Sequence, residues 1–544
     1  MNLNKISRAA LPAASSILLL LAHLLAGAGA GAAWAAESEA IQPAASLPRT
    51  AAGPVDAEAL VSAFYAAGPP PPWLSPDHAR ARLALDLISG ASAHGLDPAH
   101  YRADALERRL AWLRDATPDA AFERDLSTAM LQLLADLHFG RAAPASRAPA
   151  GEPARFDPVA HLHQALRDGR LEQAVEAAAP AIPLYRRVKA TLAHYRQLSR
   201  LHPQWDALPV VSPQARISAG SRYDGVAQLR ERLRILGDFD ADEPVLSEGV
   251  YTDALAAAVR RFQFRHGLAE DGVLGPATLA ALAVPPSDRV LQLELTLERL
   301  RWLPPPRGRL VAVNLPAYRL WAFDPNAGAE AQPLEMRVIV GTAARTPTPI
   351  FIGQMRYLEF NPYWNVPRSI AIGEIVPKLT RNPAYLAQNS MELVSASGQV
   401  LPAASGDAIA RLRAGTARVR QRPGPRNVLG EVKFAMPNPM NIYLHSTSSK
   451  ELFDRARCDL SHGCIRVEHP AELAQFVLAD SLTWNAGSVA AAMRPGPTRT
   501  VTLAEPVTVV LFYATAITDR QGRALFSEDI YRRDQPLIRT LRAR

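Results

Sequence analysis

Apolar positions recur along this chain with helical spacing in its first half and as short β-prone runs in its second. Between Val55 and about Arg200, Leu83, Leu87 and Ile88 return at helix spacing, as do Leu126, Met130, Leu133, Leu134 and Leu137. Pro69 to Pro72, Gly95-Leu96-Asp97-Pro98 and Pro180 to Pro183 interrupt them, so an all-helical domain is expected over 54–215. A compact, strongly punctuated segment follows at 216–284. Val226, Leu229, Leu233 and Leu236 make one helical face ended by Gly237, Leu255, Val259 and Phe262 a second ended by Gly267, and Pro276 opens a third helix carrying Leu279 and Leu282. Val290, Leu293, Leu297 and Leu300 predict a connecting helix within 285–307 that packs back on the helical domain. From Leu310 come the β-prone runs Leu310 to Leu315, Tyr318 to Phe323, Met336 to Val340 and Met355 to Phe360, separated by Pro, Gly and Asn turns. Residues from about 370 to 426 break this pattern with helical and Pro-, Gly- and Arg-rich sequence, the expected mark of an insertion that caps one face. Strand character resumes at Glu431 to Phe434 and Ile442 to Leu444. Ala471 to Ala479 reads as helix and Val507 to Tyr513 as strand, within a C-terminal strand and charged helical tail set off at 501–544. The fold class is multidomain α+β, with a mainly β domain at 308–500.

Composition adds a compartment to this outline. A chain of 544 residues with 48% hydrophobic and 21% charged residues is ordinary for a soluble protein of several domains. Its first residues differ: Lys5 and Arg8 precede an apolar run from Ala9 to Ala26, and Ala33-Trp34-Ala35 has the small-residue pattern of a cleavage site. That predicts a signal peptide over 1–35, cleaved near Ala35, and a flexible Ala-, Ser- and Pro-rich linker over 36–53. No later stretch reaches spanning length. Losing Lys5 and Arg8 lowers the formal charge from +8 to +6, still basic and suited to polyanions, while export argues against nucleic acid. Two cysteines, Cys458 and Cys464, are too few for a disulfide framework.

The candidate chemistry lies around the second of these. His445 ends Ile442-Tyr443-Leu444-His445, and nineteen positions later Cys464 sits in Ser461-His462-Gly463-Cys464-Ile465-Arg466-Val467. Only a thiolate attacks, and a free thiol of pKa ~8.5 needs a base beside it. Gly463 allows close backbone approach, and the amides around Cys464 suit a developing oxyanion. A zinc site built from His445, Cys458, His462, Cys464 and His469 is the competing chemistry, but a paired Cys-x-x-Cys knuckle is missing and no metal is expected. Neither is a cofactor.

Two resemblances follow. Ala258-Val259, Phe262-Gln263, Gly267-Leu268, Asp271-Gly272, Gly275 and Thr278 resemble the three-helix peptidoglycan-binding domain. His445 with Ser461-His462-Gly463-Cys464-Ile465-Arg466 resembles the signature of the L,D-transpeptidase catalytic domain of YkuD type, supported by Arg337-Val338-Ile339-Val340-Gly341, Asn361-Pro362-Tyr363-Trp364-Asn365-Val366-Pro367 and Gly430-Glu431-Val432-Lys433-Phe434. With the helical scaffold upstream, the whole looks like the large multidomain class of these enzymes. The resemblance implies acyl transfer between peptidoglycan stem peptides in the periplasm: Cys464 forms a thioester with a donor tetrapeptide, D-alanine leaves, and an acceptor amine gives a 3→3 cross-link. It implies His445 as base, oriented by the Ser446 carbonyl, and the amides of His462, Gly463 and Cys464 as oxyanion donors. Arg466 then binds a stem carboxylate or forms a structural salt bridge. Tyr443 and Trp364 line the donor groove or pack in the core. Carbapenems are implied as acylating agents. Other cell-wall synthesis enzymes are possible partners. Two alternatives remain, a carboxypeptidase that trims tetrapeptide stems with water as acceptor and a non-catalytic wall-binding scaffold.

Overall fold

The computed structural model describes residues 56–543 except 76, 114–118, 143–155, 210–215, 240–248, 304–307, 329–330, 403–404 and 480–481. The expected signal peptide and linker lie outside the described residues.

Helices form where the apolar spacing and the caps agree. Asp56, Asp119 and Asp157 each accept two backbone N–H groups at the starts of helices Ala57–Ala66, Ala120–Phe139 and Pro158–Asp168. The helix Ala120–Phe139 fully buries Leu126, Met130, Leu133, Leu134 and Leu137 at the centre of the first core. His138, beside that face, packs: its Nδ1 meets the Ala178 carbonyl at 3.2 Å and its ring stacks on Phe156. The helices Val226–Ile235, Asp253–Arg265 and Pro276–Leu282 enclose a core of their own around Leu229, Leu233, Val259 and Phe262. Helix Pro286–Leu300 then lies along helix Pro183–Leu201, with Leu293, Leu297 and Leu300 against Tyr185, Val188 and Leu192. Among the described residues no helix is long and apolar enough to cross a membrane.

Fifteen strands follow among the described residues: β1 Leu310–Asn314, β2 Arg319–Phe323, β3 Leu334–Gly341, β4 Phe351–Phe360, β5 Trp364–Asn365, β6 Met391–Ser395, β7 Val400–Leu401, β8 Ala417–Gln421, β9 Val432–Ala435, β10 Leu444–His445, β11 Asp459–Ser461, β12 Ile465–Val467, β13 Arg499–Phe512, β14 Ala516–Thr518 and β15 Ala524–Phe526. Nine of them form one sheet in the order β11-β3-β12-β10-β9-β4-β13-β1-β2, and β2 also pairs with β3. All but β11 thus close into a ring of eight, in which the short β10 is bonded to β12 on one side and β9 on the other. Its interior is apolar, with Val311, Val338, Leu358, Phe434, Leu444 and Val509 all fully buried.

Three differences from the sequence reading have local causes. A boundary at 501 cuts β13, which runs from 499 and lies between β4 and β1. The first half of that strand, Arg499 to Thr502, pairs with Tyr357 to Phe360 while keeping mostly exposed side chains, so an apolar pattern marks only its second half. The run Ile442 to Leu444 contributes only Leu444–His445 as strand. The Asn438 side chain takes both backbone groups of Ile442, accepting from its N–H at 3.1 Å and donating to its carbonyl at 2.7 Å, so Ile442 cannot join the ladder. Finally, the segment 370–426 is not only helical. With β5 it holds a four-stranded sheet, β5-β8-β6-β7, whose core includes Leu379, Leu393, Leu412 and Val419. Strand β8 alternates buried and half-buried residues, but arginines at 418 and 420 mask the period. This excursion leaves and returns at one place: Phe360 pairs with Val432, and the Asn361 N–H donates to the Glu431 carbonyl at 2.8 Å.

Candidate active site

Strands β10 and β12 run parallel, with Leu444 opposite Ile465 and His445 opposite Arg466, while β9 sets Lys433 opposite His445. Residues in register on neighbouring strands share a face, as do residues two apart. His445, Arg466, Lys433, Tyr443 and Cys464 therefore gather on one side of three short strands.

The thiol sits among polar groups. Cys464 Sγ donates to the Asn441 carbonyl at 3.5 Å, and the Tyr443 side chain lies beside both the thiol and Trp364. Tyr443 is tilted over His445 with ring centroids 5.7 Å apart, and Lys433 Nζ lies 5.1 Å from the Tyr443 ring while pairing with Glu359 at 2.8 Å. Trp364 belongs to the insertion and packs on its core, so Tyr443 bridges insertion and thiol.

His445 is 5% exposed, and its Nδ1 lies 2.5 Å from the Ser446 carbonyl. A carbonyl only accepts, so this contact places the proton on Nδ1 and leaves the Nε2 lone pair free. Burial, then the charges of Arg466 and Lys433, hold the imidazole at about 3, well below its usual 6.5, against the pull of its carbonyl partner. Burial also pushes the Cys464 thiol up, opposed by the polar groups of Tyr443 and by the charges of Lys433 and Arg466. At neutral pH the imidazole and the thiol are thus both uncharged.

The turn that carries Cys464 is braced by Ser461 of the motif and by residues the motif does not contain. Gly463 has φ +111°, a conformation side chains disfavour. The Ser461 hydroxyl donates to the Cys464 carbonyl at 2.6 Å and accepts from the Gly463 N–H at 3.1 Å. Of the three amides singled out in the sequence, that of Gly463 is therefore already engaged. Thr348 accepts from the Gly341 N–H and donates to the Gly463 carbonyl, both at 2.8 Å, and Thr346 donates to the Ser461 carbonyl at 3.1 Å. Tyr531, from the C-terminal segment, donates to the Gly341 carbonyl at 2.6 Å and accepts from the Thr348 N–H at 3.2 Å. Nothing in the spacing of the sequence pairs Tyr531 with Cys464. Gly341 was visible as a strand end, but not as a contact of the turn.

His462 and Arg466 point to different surroundings. The His462 ring turns outward to the insertion, where Nε2 lies 2.6 Å from the Glu374 carboxylate. Arg466 is half-buried; its Nη1 donates to Thr447 at 3.5 Å, its Nε has no partner among the described residues, and burial lowers its proton affinity. Cys458 is fully buried and its thiol donates to the Arg455 carbonyl at 3.2 Å, both cysteines being free. Iodoacetamide should accordingly add once to the native protein, at Cys464, and twice after denaturation; two native adducts by intact mass would contradict the burial of Cys458. Among the described residues no group of three or more His, Cys, Asp or Glu is placed to hold a metal.

Comparisons with known proteins bear on the same residues. Residues 308–509 match the L,D-transpeptidase catalytic domain (YkuD), residues 59–192 the scaffold domain, and residues 222–282 the "Putative peptidoglycan binding domain". A curated protein of Haemophilus influenzae, "Putative L,D-transpeptidase", is 31% identical over 246 residues, 45% of this chain and 48% of that one. The chain thus spans about half the length of the curated relative it matches. Crystal structures of L,D-transpeptidases from Stackebrandtia nassauensis and Xylanimonas cellulosilytica are 14% and 17% identical, each over 56% of this chain, covering 97% and 100% of theirs with TM-scores of 0.22 and 0.16. The match over residues 308–509 takes in β10, β12 and the Ser461 to Cys464 turn, and in this chain it is joined to stretches similar to a scaffold domain and a peptidoglycan-binding domain.

Proposed function

We propose that this chain is a peptidoglycan L,D-transpeptidase that forms 3→3 cross-links through a thioester on Cys464, acting outside the cytoplasm after export. The observation that carries the reading is the tautomer of His445. With Nδ1–H donated to Ser446, Nε2 is left as the acceptor nitrogen, which is what a neutral thiol needs.

In the first half-reaction His445 takes the Cys464 proton as sulfur attacks the carbonyl between the third stem residue and the terminal D-alanine. The amide C–N bond breaks, and imidazolium returns the proton to the departing amine. In the second, a side-chain amine of an acceptor stem attacks the thioester, His445 takes its proton, and the thiol is regenerated. One amide replaces another, so no nucleotide is consumed. The Cys464 and His462 amides are the oxyanion donors of this reading. The partnerless Nε of Arg466 favours its role as a fork for a stem carboxylate over a structural ion pair. Tyr443 and Trp364 line the donor side. Groups facing His445 are cationic or neutral, which suits an acceptor that binds as the free amine.

Purified protein incubated with disaccharide tetrapeptide tests this. Cross-linked dimers with loss of D-alanine are expected by mass spectrometry, and none from Cys464→Ala. Tripeptide without dimers would identify a trimming carboxypeptidase, and unchanged substrate a wall-binding scaffold.

A further inference from the structure

A cavity of about 730 Å³ opens far in sequence from the thiol, where helix Pro183–Leu201, the ends of helices Val226–Ile235 and Asp253–Arg265, and the β14–β15 hairpin meet. That volume falls in the ~300–1,000 Å³ range of small-molecule sites. Its walls carry five arginines against two carboxylates, Asp238 and Glu270.

The charges do not cancel locally. Asp238 is taken by Arg265 in a buried two-point pair at the cavity floor. Arg523 is paired with Asp519 at 2.7 Å. Arg261 donates twice to the Asp238 main-chain carbonyl, at 2.9 and 2.7 Å, and Arg187 Nε donates to the Thr518 carbonyl at 3.2 Å. A carbonyl fixes a guanidinium without neutralising it. Arg187 is half-buried; burial and the neighbouring charge of Arg520 lower its proton affinity, opposed by Asp519, which is already paired with Arg523. Arg260, on the rim, faces the same space. Arg187, Arg260 and Arg261 against the single remaining carboxylate of Glu270 leave a concave wall of net positive charge, which focuses positive potential and matches planar oxyanions.

We infer that this cavity is a binding site for the carboxylates of a wall peptide, built jointly by the peptidoglycan-binding helices, the scaffold helix and the C-terminal hairpin. The inference rests on the reading of the chain as a wall enzyme for the choice of carboxylate over phosphate; the cationic cavity itself does not. Phe264, over which Arg523 lies at 5.5 Å, adds an apolar surface for peptide side chains. Occupancy would tie three packing units together at a point that shares no lining residue with the thiol site.

Calorimetry on full-length Cys464→Ala protein separates binding from catalysis. Disaccharide tetrapeptide with free carboxylates is the probe, with its carboxyl-amidated form and inorganic phosphate as the other arms. Arg187→Gln and Arg260→Gln, whose melting curves should match the parent, are each expected to weaken binding tenfold or more, and amidation to do the same. Neither variant touches the thiol face, so in the Cys464 protein both should keep the parent rate on soluble donor. Absent binding, affinity unchanged in both variants, or displacement of the peptide by phosphate at lower concentration than the peptide itself would overturn the inference. Loss of dimer formation in the parent enzyme would count against the transpeptidase reading alone.

Discussion

His445→Gln is expected to lower the rate of Cys464 acylation by about 10²–10⁴, the usual contribution of a positioned base, while leaving the strands in place. Glutamine keeps an N–H for the Ser446 carbonyl but offers no basic nitrogen. The wild-type pH profile should be equally informative. With the imidazole held at about 3, it is neutral from pH 5 upward, so no acid limb with a midpoint near 6.5 is expected; because burial pushes the thiol up, acylation should still be climbing above pH 8. Time courses with a carbapenem, followed by intact mass from pH 5 to 10, measure both. A limb near 6.5 would mean that the imidazole titrates as it does in water.

The same group acts on stability. Its native pKa is depressed, so above 6.5 folded and unfolded chains both hold it neutral and it adds no pH dependence. Between 6.5 and about 3 only the unfolded chain takes the proton, and stability falls as the pH falls. His445→Gln should remove that component and flatten the dependence of the melting temperature over this window.

Gly341→Ala is the second large effect. A Cβ there would lie 1.9 Å from the Thr346 carbonyl oxygen, 2.8 Å from the Thr348 N and 2.9 Å from the Gly463 Cα. All three are backbone atoms, so no side chain can swing aside. The backbone must move, at a cost of about 2–3 kcal/mol for overpacking of this kind, and what moves is the support of the nucleophile turn. Chemical denaturation should register the loss of stability, and acylation should slow disproportionately at temperatures where the variant stays folded. Full activity at parental stability would show that the brace is dispensable.

The sequence was most legible where chemistry and period coincide. The helical core around Leu126 to Leu137, the three short helices and the strands flanking His445 follow from apolar spacing, and the Cys464 turn from its motif. What stayed hidden was held by polar or distant partners. Asn438 shortens β10 through its side chain, the first half of β13 has no apolar stripe, and Tyr531 reaches Gly341 across 190 positions. Such contacts carry no local signal, because each member alone looks like an ordinary loop or surface residue. Glu374 on His462 belongs to the same class.

The paired exit and return of the insertion at Phe360 and Val432 has a historical implication. A segment whose two ends already touch adds little closure entropy to its host, and it carries its own core. Such a segment can be lengthened, shortened or exchanged over generations while the ring of strands and its thiol stay unaltered. The part of this protein most open to change in length is thus the part that sets Glu374 beside His462, while the ring of strands that carries Cys464 need not move with it.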